Sequence, residues 1–426
     1  MASTPGARLR WQQAADPGRY PALLSTARPA AVAGGLDANH RLVEAIEPPR
    51  LAHTPEAAAA LLQAVDWRSK PSPGSSPDST PPPAQEGWLV YLAYECSQGL
   101  WPQRLQLRRP PRDHEPLPLL AAVQRIRLGE PEWERSAATA VPPLVAQAAW
   151  REPDPAVFLA DVDRIREYIR AGDVYQVNLS RSWRTRVPAD GTAVYERLLR
   201  ANPAPFAARW TLPGLDILSS SPERLFAVRG NTIHTQPIAG TRPRGVTAAD
   251  DARLRSELQA HPKERAEHIM LVDLERNDLG RICAGGSVTV PQLMRIEPYT
   301  TVQHMVSDVY GQLRSDVRLW DILAAVFPGG TITGCPKLRC MEILCELESE
   351  PRGAYTGSLG YCLDDGSADF NILIRTVQST AAGLRLDAGA GIVADADARA
   401  ELAETRAKAE GVIAALAGHR RTEEST

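Results

Sequence analysis

A chain of 426 residues, 43% hydrophobic and 23% charged, is long enough for one large soluble domain or two ordinary ones. Its net charge of −3, with no Lys/Arg stripe, argues against a nucleic-acid partner, and no apolar run reaches membrane-spanning length. Met1 to Tyr20 contains no apolar leader, so a cytoplasmic location is expected, and six cysteines without a C-x-x-C pair read as reduced and structural.

Residues 1–136 read as an N-terminal half interrupted over 69–86 by a Pro/Ser/Gly/Thr tract, a flexible loop. Strands are expected at 87–94, where bulky β-prone residues follow one another, and at 119–126. The Ala/Pro-rich stretch 137–155 reads as a crossing segment. Residues 150–418 hold the denser pattern. A helix is expected over 161–170, with Val162, Ile165 and Ile169 on one face, then an alternating strand over 174–180. Further strands are expected at 215–218, 225–228, 302–310, 354–361, 370–377 and 384–388. Helices are expected at 248–260, 263–279, 318–325, 337–347 and 400–416, and residues 419–426 read as a disordered tail. The strands come in runs and do not alternate regularly with helices. That favours an α+β fold with large, mainly antiparallel sheets over a doubly wound parallel sheet.

Lysine usage directs attention to particular segments. The chain has four lysines against 44 arginines, and Lys263, Lys337 and Lys408 all fall in motif-rich stretches; Lys70 lies in the Pro/Ser tract. An ammonium is compact and can lose its proton when desolvated, which a guanidinium cannot. Glu264 and Glu267 follow Lys263 at i and i+3 of a helix opened by Pro262. Glu401, Glu404 and Lys408 share one face of the last helix, which Gly418 can cap. Either glutamate pair alone reads as a solvated face. Together they could converge on one divalent cation, and an all-oxygen set would suit Mg²⁺.

The stretch from Gly329 to Lys337 invites a phosphate-loop reading but fails it, because Cys335 and Pro336 follow Gly334 and no Ser/Thr follows Lys337. It can still offer backbone N–H groups to a carboxylate, with a hydroxyl from Thr333 or with Thr333 simply forming the turn. Gly389-Ala390-Gly391, after a strand, reads as an ordinary turn or as a place of close backbone approach. Arg375, in a mostly apolar strand, is either structurally paired or a carboxylate clamp. The loop from Pro237 to Gly245 reads as turn chemistry or an anion site.

Taken together and in this order, these stretches resemble the chorismate-utilising enzymes, densely over 150–418 and more weakly at 87–95. That family includes anthranilate, aminodeoxychorismate, isochorismate and salicylate synthases. The resemblance implies one intertwined sandwich of two large sheets with outer helices and a Mg²⁺-dependent site between the sheets. It places Glu267 and Glu404 on the metal, with Glu264 and Glu401 supporting. It assigns Gly240, Thr241, Tyr355, Arg375, Gly389, Ala390, Gly391 and Lys408 to the two carboxylates of chorismate. His304 falls near the enolpyruvyl side chain, and His304, Lys408, Glu264 and Thr333 are the candidate catalytic residues.

Within the family, three stretches resemble aminodeoxychorismate synthase component I, the para-aminobenzoate synthase large subunit. They run from Tyr175 to Leu179, from Ser219 to Arg224 and from Phe327 to Lys337. Ala239 disagrees: many of those enzymes place a lysine there, and anthranilate synthases an alanine. The expected activity is amination of chorismate to 4-amino-4-deoxychorismate, for para-aminobenzoate and folate synthesis. The alternatives are anthranilate formation for tryptophan synthesis and a non-catalytic chorismate-binding regulatory module. No G-x-C-x-G glutaminase motif occurs, so a separate glutamine amidotransferase subunit is the expected ammonia source.

Overall fold

The computed structural model describes residues 22–25, 39–65, 67, 85–102, 105, 119–128, 132–133, 144–298 and 302–418. In chain order the strands are β1 (Ala22–Ser25), β2 (Asn39–Ala45), β3 (Arg50–Ala52), β4 (Gln85–Leu92), β5 (Ala121–Leu128), β6 (Glu132–Trp133), β7 (Gln176–Thr185), β8 (Phe206–Leu212), β9 (Leu215–Ser221) and β10 (Arg224–Arg229). They continue with β11 (Thr232–Thr235), β12 (Ile238–Pro243), β13 (Thr289–Pro298), β14 (Val302–Gln312), β15 (Gly334–Cys335), β16 (Ser358–Leu363), β17 (Ala368–Asn371), β18 (Thr376–Thr380) and β19 (Gly383–Ile392). The helices are α1 (Pro55–Gln63), α2 (Ser97–Leu100), α3 (Pro155–Arg170), α4 (Gly191–Ala201), α5 (Ala248–Ala260), α6 (Pro262–Gly280), α7 (Leu319–Val326), α8 (Lys337–Leu347) and α9 (Ala398–Ala417).

One sheet runs β15–β7–β19–β18–β9–β8–β1–β2. The other runs β5–β4–β16–β17–β10–β11–β14–β13, with β12 sharing the β11 edge of β14. Every one of these pairings is antiparallel, and β2 bridges the two sheets through β5. The fold is therefore the α+β class expected, with two large antiparallel sheets. Strands from before residue 136 complete both sheets: β1 lies beside β8 and β4 beside β16. No membrane-crossing helix, by length and apolarity, occurs among the described residues.

The helices form where local chemistry supports them. Asp154 caps α3 by accepting from Ala156 N at 2.9 Å, and Asp397 caps α9 by accepting from Ala400 N at 2.8 Å. Gly418 closes α9 in the left-handed conformation, φ 84°. The inner face of α9 buries Val412, Ile413 and Leu416 with Val194 and Leu198 of α4, against Trp183, Val377 and Leu386 of the first sheet. Each such side chain stabilises the docking by roughly 1.5–3 kcal/mol. A second cluster packs α3 (Phe158, Val162, Ile165) and α8 (Ile343, Leu344) around Val177 and Leu179 of β7.

Several expectations need correction. The helix expected at 161–170 begins at Pro155, inside the supposed crossing segment, because Asp154 and Pro155 supply a start signal. The stretch 237–245 is largely strand β12, since its backbone pairs with β14. The expected strand 370–377 is two strands broken at Ile372–Arg375, where Arg375 takes φ 50°. Gly389–Gly391 lies within β19, not after it. Residues 85 and 86 of the supposed loop begin β4; the rest of that loop, with Lys70, lies outside the described residues, as do residues 419–426. The six cysteines form no disulfide.

Among the described residues Arg352 is the most deeply buried charged side chain, 1% exposed. Its guanidinium donates to Asn178 O at 2.6 Å, Ile332 O at 3.0 Å, Thr356 Oγ1 at 3.2 Å and both oxygens of Glu348 at 2.7 and 2.8 Å. Removing one partner of such a pair leaves an uncompensated buried charge. Arg352→Met is expected to cost about 3–5 kcal/mol in urea unfolding. Arg352→Lys should recover only part of it, because three donors on a point charge cannot span that set of acceptors.

Candidate active site

Two helices bring four carboxylates to one place. On α6, Pro262 takes the first position and the His261 ring accepts from Glu264 N at 3.4 Å, which sets Glu264 and Glu267 on one face. On α9, Glu401 and Glu404 do the same. The two faces act on one another. Burial raises the Glu267 carboxyl above its ordinary range and Gln176 Nε2, donating at 2.9 Å, opposes that, while Glu264 and Glu404 repel its charge. Burial, then Glu404 and also Glu267, push Glu401 up to about 7, against the pull of Lys263 and Lys408. Arg242 meets Glu264 at 3.1 Å and Lys408 meets Glu404 at 2.7 Å, yet the repulsion among the four carboxylates persists.

Among the described residues no group of three or more His, Cys, Asp or Glu side chains forms a ready-made metal cluster. The donor set nonetheless fits a hard divalent cation that takes one or two protein carboxylates and keeps its remaining positions for water and an anionic substrate.

The second sheet contributes a bulged edge. The register between β12 and β14 slips between Ala239 and Thr241, and Gly240 takes φ 73° at the slip. A side chain there would meet Glu264 Oε2 and Leu258 Cδ1, each at 2.8 Å. Only glycine meets both demands. Thr241 then stands opposite His304, and its hydroxyl lies 2.9 Å from His304 Nδ1. Burial, aided by Arg375 and opposed by the ring's hydrogen bond to the Gly240 backbone, holds His304 down to about 4, so its imidazole is neutral at pH 7.

The first sheet contributes its small residues. Alternation along β19 turns Ala390 into the core beside Val177 and Leu179. Gly389 and Gly391 therefore face the other way, over Asn178 and Gln176 of β7. A side chain at Gly389 would meet Asn178 Oδ1 and Tyr355 Oη, each at 2.7 Å. Lys408 spans to this strand, donating to Gly389 O at 2.9 Å while pairing with Glu404 at 2.7 Å. Arg375, in its left-handed break, donates to Asn202 Oδ1 at 3.4 Å and acts electrostatically on His304. Tyr355 is buried, and burial raises its phenol.

Glu223 was not among the residues singled out from the sequence. It lies between β9 and β10, 8% exposed, and accepts from Thr331 Oγ1 at 2.5 Å. Burial pushes it up to about 7, against that hydrogen bond and the nearby charges of Lys408 and Arg375. A carboxyl poised near neutrality beside two cations is equipped to carry a proton. Its one sequence signal was an acid at the end of a serine run and a proline, Ser219 to Glu223.

Other candidates have structural partners. Thr333 turns its buried hydroxyl onto Gly329 O at 2.8 Å, the turn-forming arrangement. Lys337 is buried in an ion pair with Asp278 at 2.6 Å. Lys263 meets Asp395 at 3.1 Å on the surface.

The model of the chorismate binding enzyme family matches residues 43–414, and the chain belongs to that family. Among curated proteins it is 49% identical over 259 residues to an anthranilate synthase component I-like protein of Synechocystis, covering 60% of this chain and 53% of that protein. It is 46% identical over 259 residues to aminodeoxychorismate synthase component 1 of Bacillus subtilis, covering 61% and 55%. The chain spans about half the length of the curated relatives it matches. Over nearly the whole fold it resembles the solved anthranilate synthase component I of Streptococcus pneumoniae, with TM-score 0.69, 27% identity, and 92% and 90% of the two chains covered. The menaquinone-specific isochorismate synthase of Escherichia coli shares the fold, with TM-score 0.70, 20% identity, and 96% and 91% covered.

Gly240→Ala is expected to cost about 1–2 kcal/mol, from the left-handed backbone it forces on a side chain. It should also displace Glu264. Urea denaturation reads the first effect, and a Thr241→Val control should leave the backbone term absent.

Proposed function

We propose that this chain aminates chorismate with ammonia from a separate glutamine amidotransferase subunit, using Mg²⁺, and releases 4-amino-4-deoxychorismate for para-aminobenzoate and folate synthesis. The observation that carries this reading is the meeting of the α6 and α9 carboxylates with a cluster of carboxylate-binding and proton-carrying groups: Lys408, Arg375, His304 and Glu223. A buried carboxyl held near neutrality beside two cations favours catalysis over a non-catalytic binding module.

Glu267 and Glu404 would hold the metal, with Glu264 and Glu401 behind them. Bound there, Mg²⁺ supplies a Lewis acid for a substrate carboxylate. Gly389 and Gly391 let the backbone approach the substrate, and Lys408 and Arg375 pair with its carboxylates. His304, neutral, offers a hydrogen bond near the enolpyruvyl group. Glu223 gives its proton to the C4 hydroxyl as that C–O bond breaks and water leaves. Ammonia forms the new C–N bond, and the nitrogen passes a proton to the Glu223 carboxylate, which ends as the acid it began. Ala239 is buried on β12 beside the bulge, so no lysine stands there to attack C2 first. Positioning and electrostatic stabilisation take the place of a covalent adduct.

A second reading, attack at C2 toward anthranilate, is favoured by Ala239 and by the names of most of the relatives. Product analysis with chorismate, Mg²⁺ and ammonium separates the two. The proposed product becomes 4-aminobenzoate only when aminodeoxychorismate lyase is added, whereas direct release of anthranilate establishes the second reading. Mass spectrometry should find no substrate adduct on any lysine.

The isolated chain should use ammonium and not glutamine. Glu267→Ala or Glu404→Ala should abolish turnover with little change in melting temperature, and near-normal activity of either at limiting Mg²⁺ would refute the metal assignment. If Glu223 is the acid, its protonated form acts, so kcat/KM should fall as pH rises through about 7. Glu223→Gln should remove that limb and lower kcat by about 10²–10⁴-fold.

A further inference from the structure

Behind Glu223 lies a second polar pocket that the chemistry above does not use. It has a volume of about 10 Å³, room for the centre of one water-sized molecule. Glu275 and Asp278 of α6 and Thr235 of β11 line it, with Gly329, Gly330 and an apolar wall that includes Ile372. The two glycines form part of the partition from the active site: the next residue, Thr331, is the one that holds Glu223. Side chains at either glycine would run into Ile372 or Leu274, so the turn has no space to spare.

The pocket holds two carboxyls and one cation. Its two carboxyls, Glu275 and Asp278, share a single ammonium, that of Lys337, which is committed to Asp278 at 2.6 Å and to Val326 O at 3.2 Å. The Thr235 hydroxyl lies near enough to favour the ionised form of Glu275. Even so, Thr235 Oγ1 and Glu275 Oε2 are buried and complete no hydrogen bond among the described residues. Thr235 is 3% exposed. Burial first, then Glu223 and Asp278, push Glu275 up to about 8, against Thr235 and Lys337. Two unsatisfied buried oxygens, one uncompensated acid and room for one water-sized molecule describe a place for a small hydrogen-bond donor that can carry positive charge.

We propose that this pocket is a way-station for ammonia, held as ammonium between Glu275 and Thr235 one turn of chain behind Glu223. This rests on the amination reading and names the nitrogen's last stop before the substrate. Neutral ammonia crosses the apolar wall. The Glu275 carboxylic acid gives it a proton, leaving a carboxylate and an ammonium ion paired in the pocket. On delivery the ammonium returns that proton to Glu275 and leaves as ammonia with its lone pair free. Nothing is oxidised or reduced, and Glu275 ends as it began.

The test uses the full chain, wild type, Glu275→Gln and Thr235→Val. In the first arm chorismate consumption is followed while ammonium chloride is varied. Glu275→Gln should raise the KM for ammonium about tenfold, equivalent to about 1.4 kcal/mol, and leave the KM for chorismate unchanged. Thr235→Val should shift it in the same direction by less. A variant in which only kcat falls would show a structural role and overturn the proposal. In the second arm Tm is measured in ammonium, potassium and sodium chloride at equal ionic strength, without substrate. Ammonium should raise the wild-type Tm above its value in the other two salts, and Glu275→Gln should abolish the difference. An equal rise with potassium, or a rise that survives Glu275→Gln, would overturn the proposal. Failure of the wild-type chain to consume chorismate with ammonium would count against the amination reading alone, and the melting arm would still decide what the pocket binds.

Discussion

The buried guanidinium of Arg352 is the interaction from which the site hangs. It ties together Asn178 of β7, the carbonyl of Ile332 in the glycine-rich turn, and Glu348 just past α8. Glu348 in turn accepts from the backbone and hydroxyl of Ser180, and Glu95, from the other end of the chain, accepts from the backbone N–H groups of Arg352 and Gly353. A charge this deep is tolerated only when every donor is met, because desolvation alone would exclude it. Meeting those donors fixes β7, which pairs with β19, against the turn that carries Thr331 and the segment that carries Tyr355. The glycines of β19, the hydrogen bond to Glu223 and the phenol behind Gly389 are therefore placed by one network.

Charge at the site is arranged in two different ways. Structural charges are paired at short range and buried or half-buried, as in Lys337 with Asp278 and Arg224 with Asp369. The glutamates of α6 and α9 instead face one another, with Lys263 and Lys408 nearby and Arg242 on Glu264 at 3.1 Å to soften the repulsion. Repulsion left standing in a folded protein is costly, and it suits a place where a cation and a dianionic substrate arrive together. Glu223 and Glu275 extend the same pattern inward, as carboxyls kept near neutrality by burial. The economy in lysine follows these lines. Of the three lysines in the motif-rich stretches, Lys337 neutralises a buried acid, Lys263 helps offset the glutamates from the surface, and Lys408 reaches the backbone of β19.

Local chemistry in the sequence determined much of this. Spacing placed Glu264 with Glu267 and Glu401 with Glu404, because three residues make nearly one helical turn. Pro262 and Gly418 marked helix ends because their backbones suit only those positions. The α+β class followed from strands grouped in runs. Tertiary structure alone decided the rest. That the two glutamate faces meet depends on α6 and α9 docking on different sheets, more than a hundred residues apart in sequence. Glu223 and Glu275 read as ordinary acids until burial raised their carboxyls, and burial is a property of the packed chain. Arg375 read as part of one strand, since its neighbours are apolar and β-prone; the break that turns it toward His304 arises because β17 and β18 pair with different sheets. Likewise Thr333 and Lys337 sat in the most suggestive motif of the chain, yet their partners, Gly329 O and Asp278, are set by how that turn packs on α6. The sequence determined which side chains each helix and strand would present, and long-range packing decided which of them would face one another.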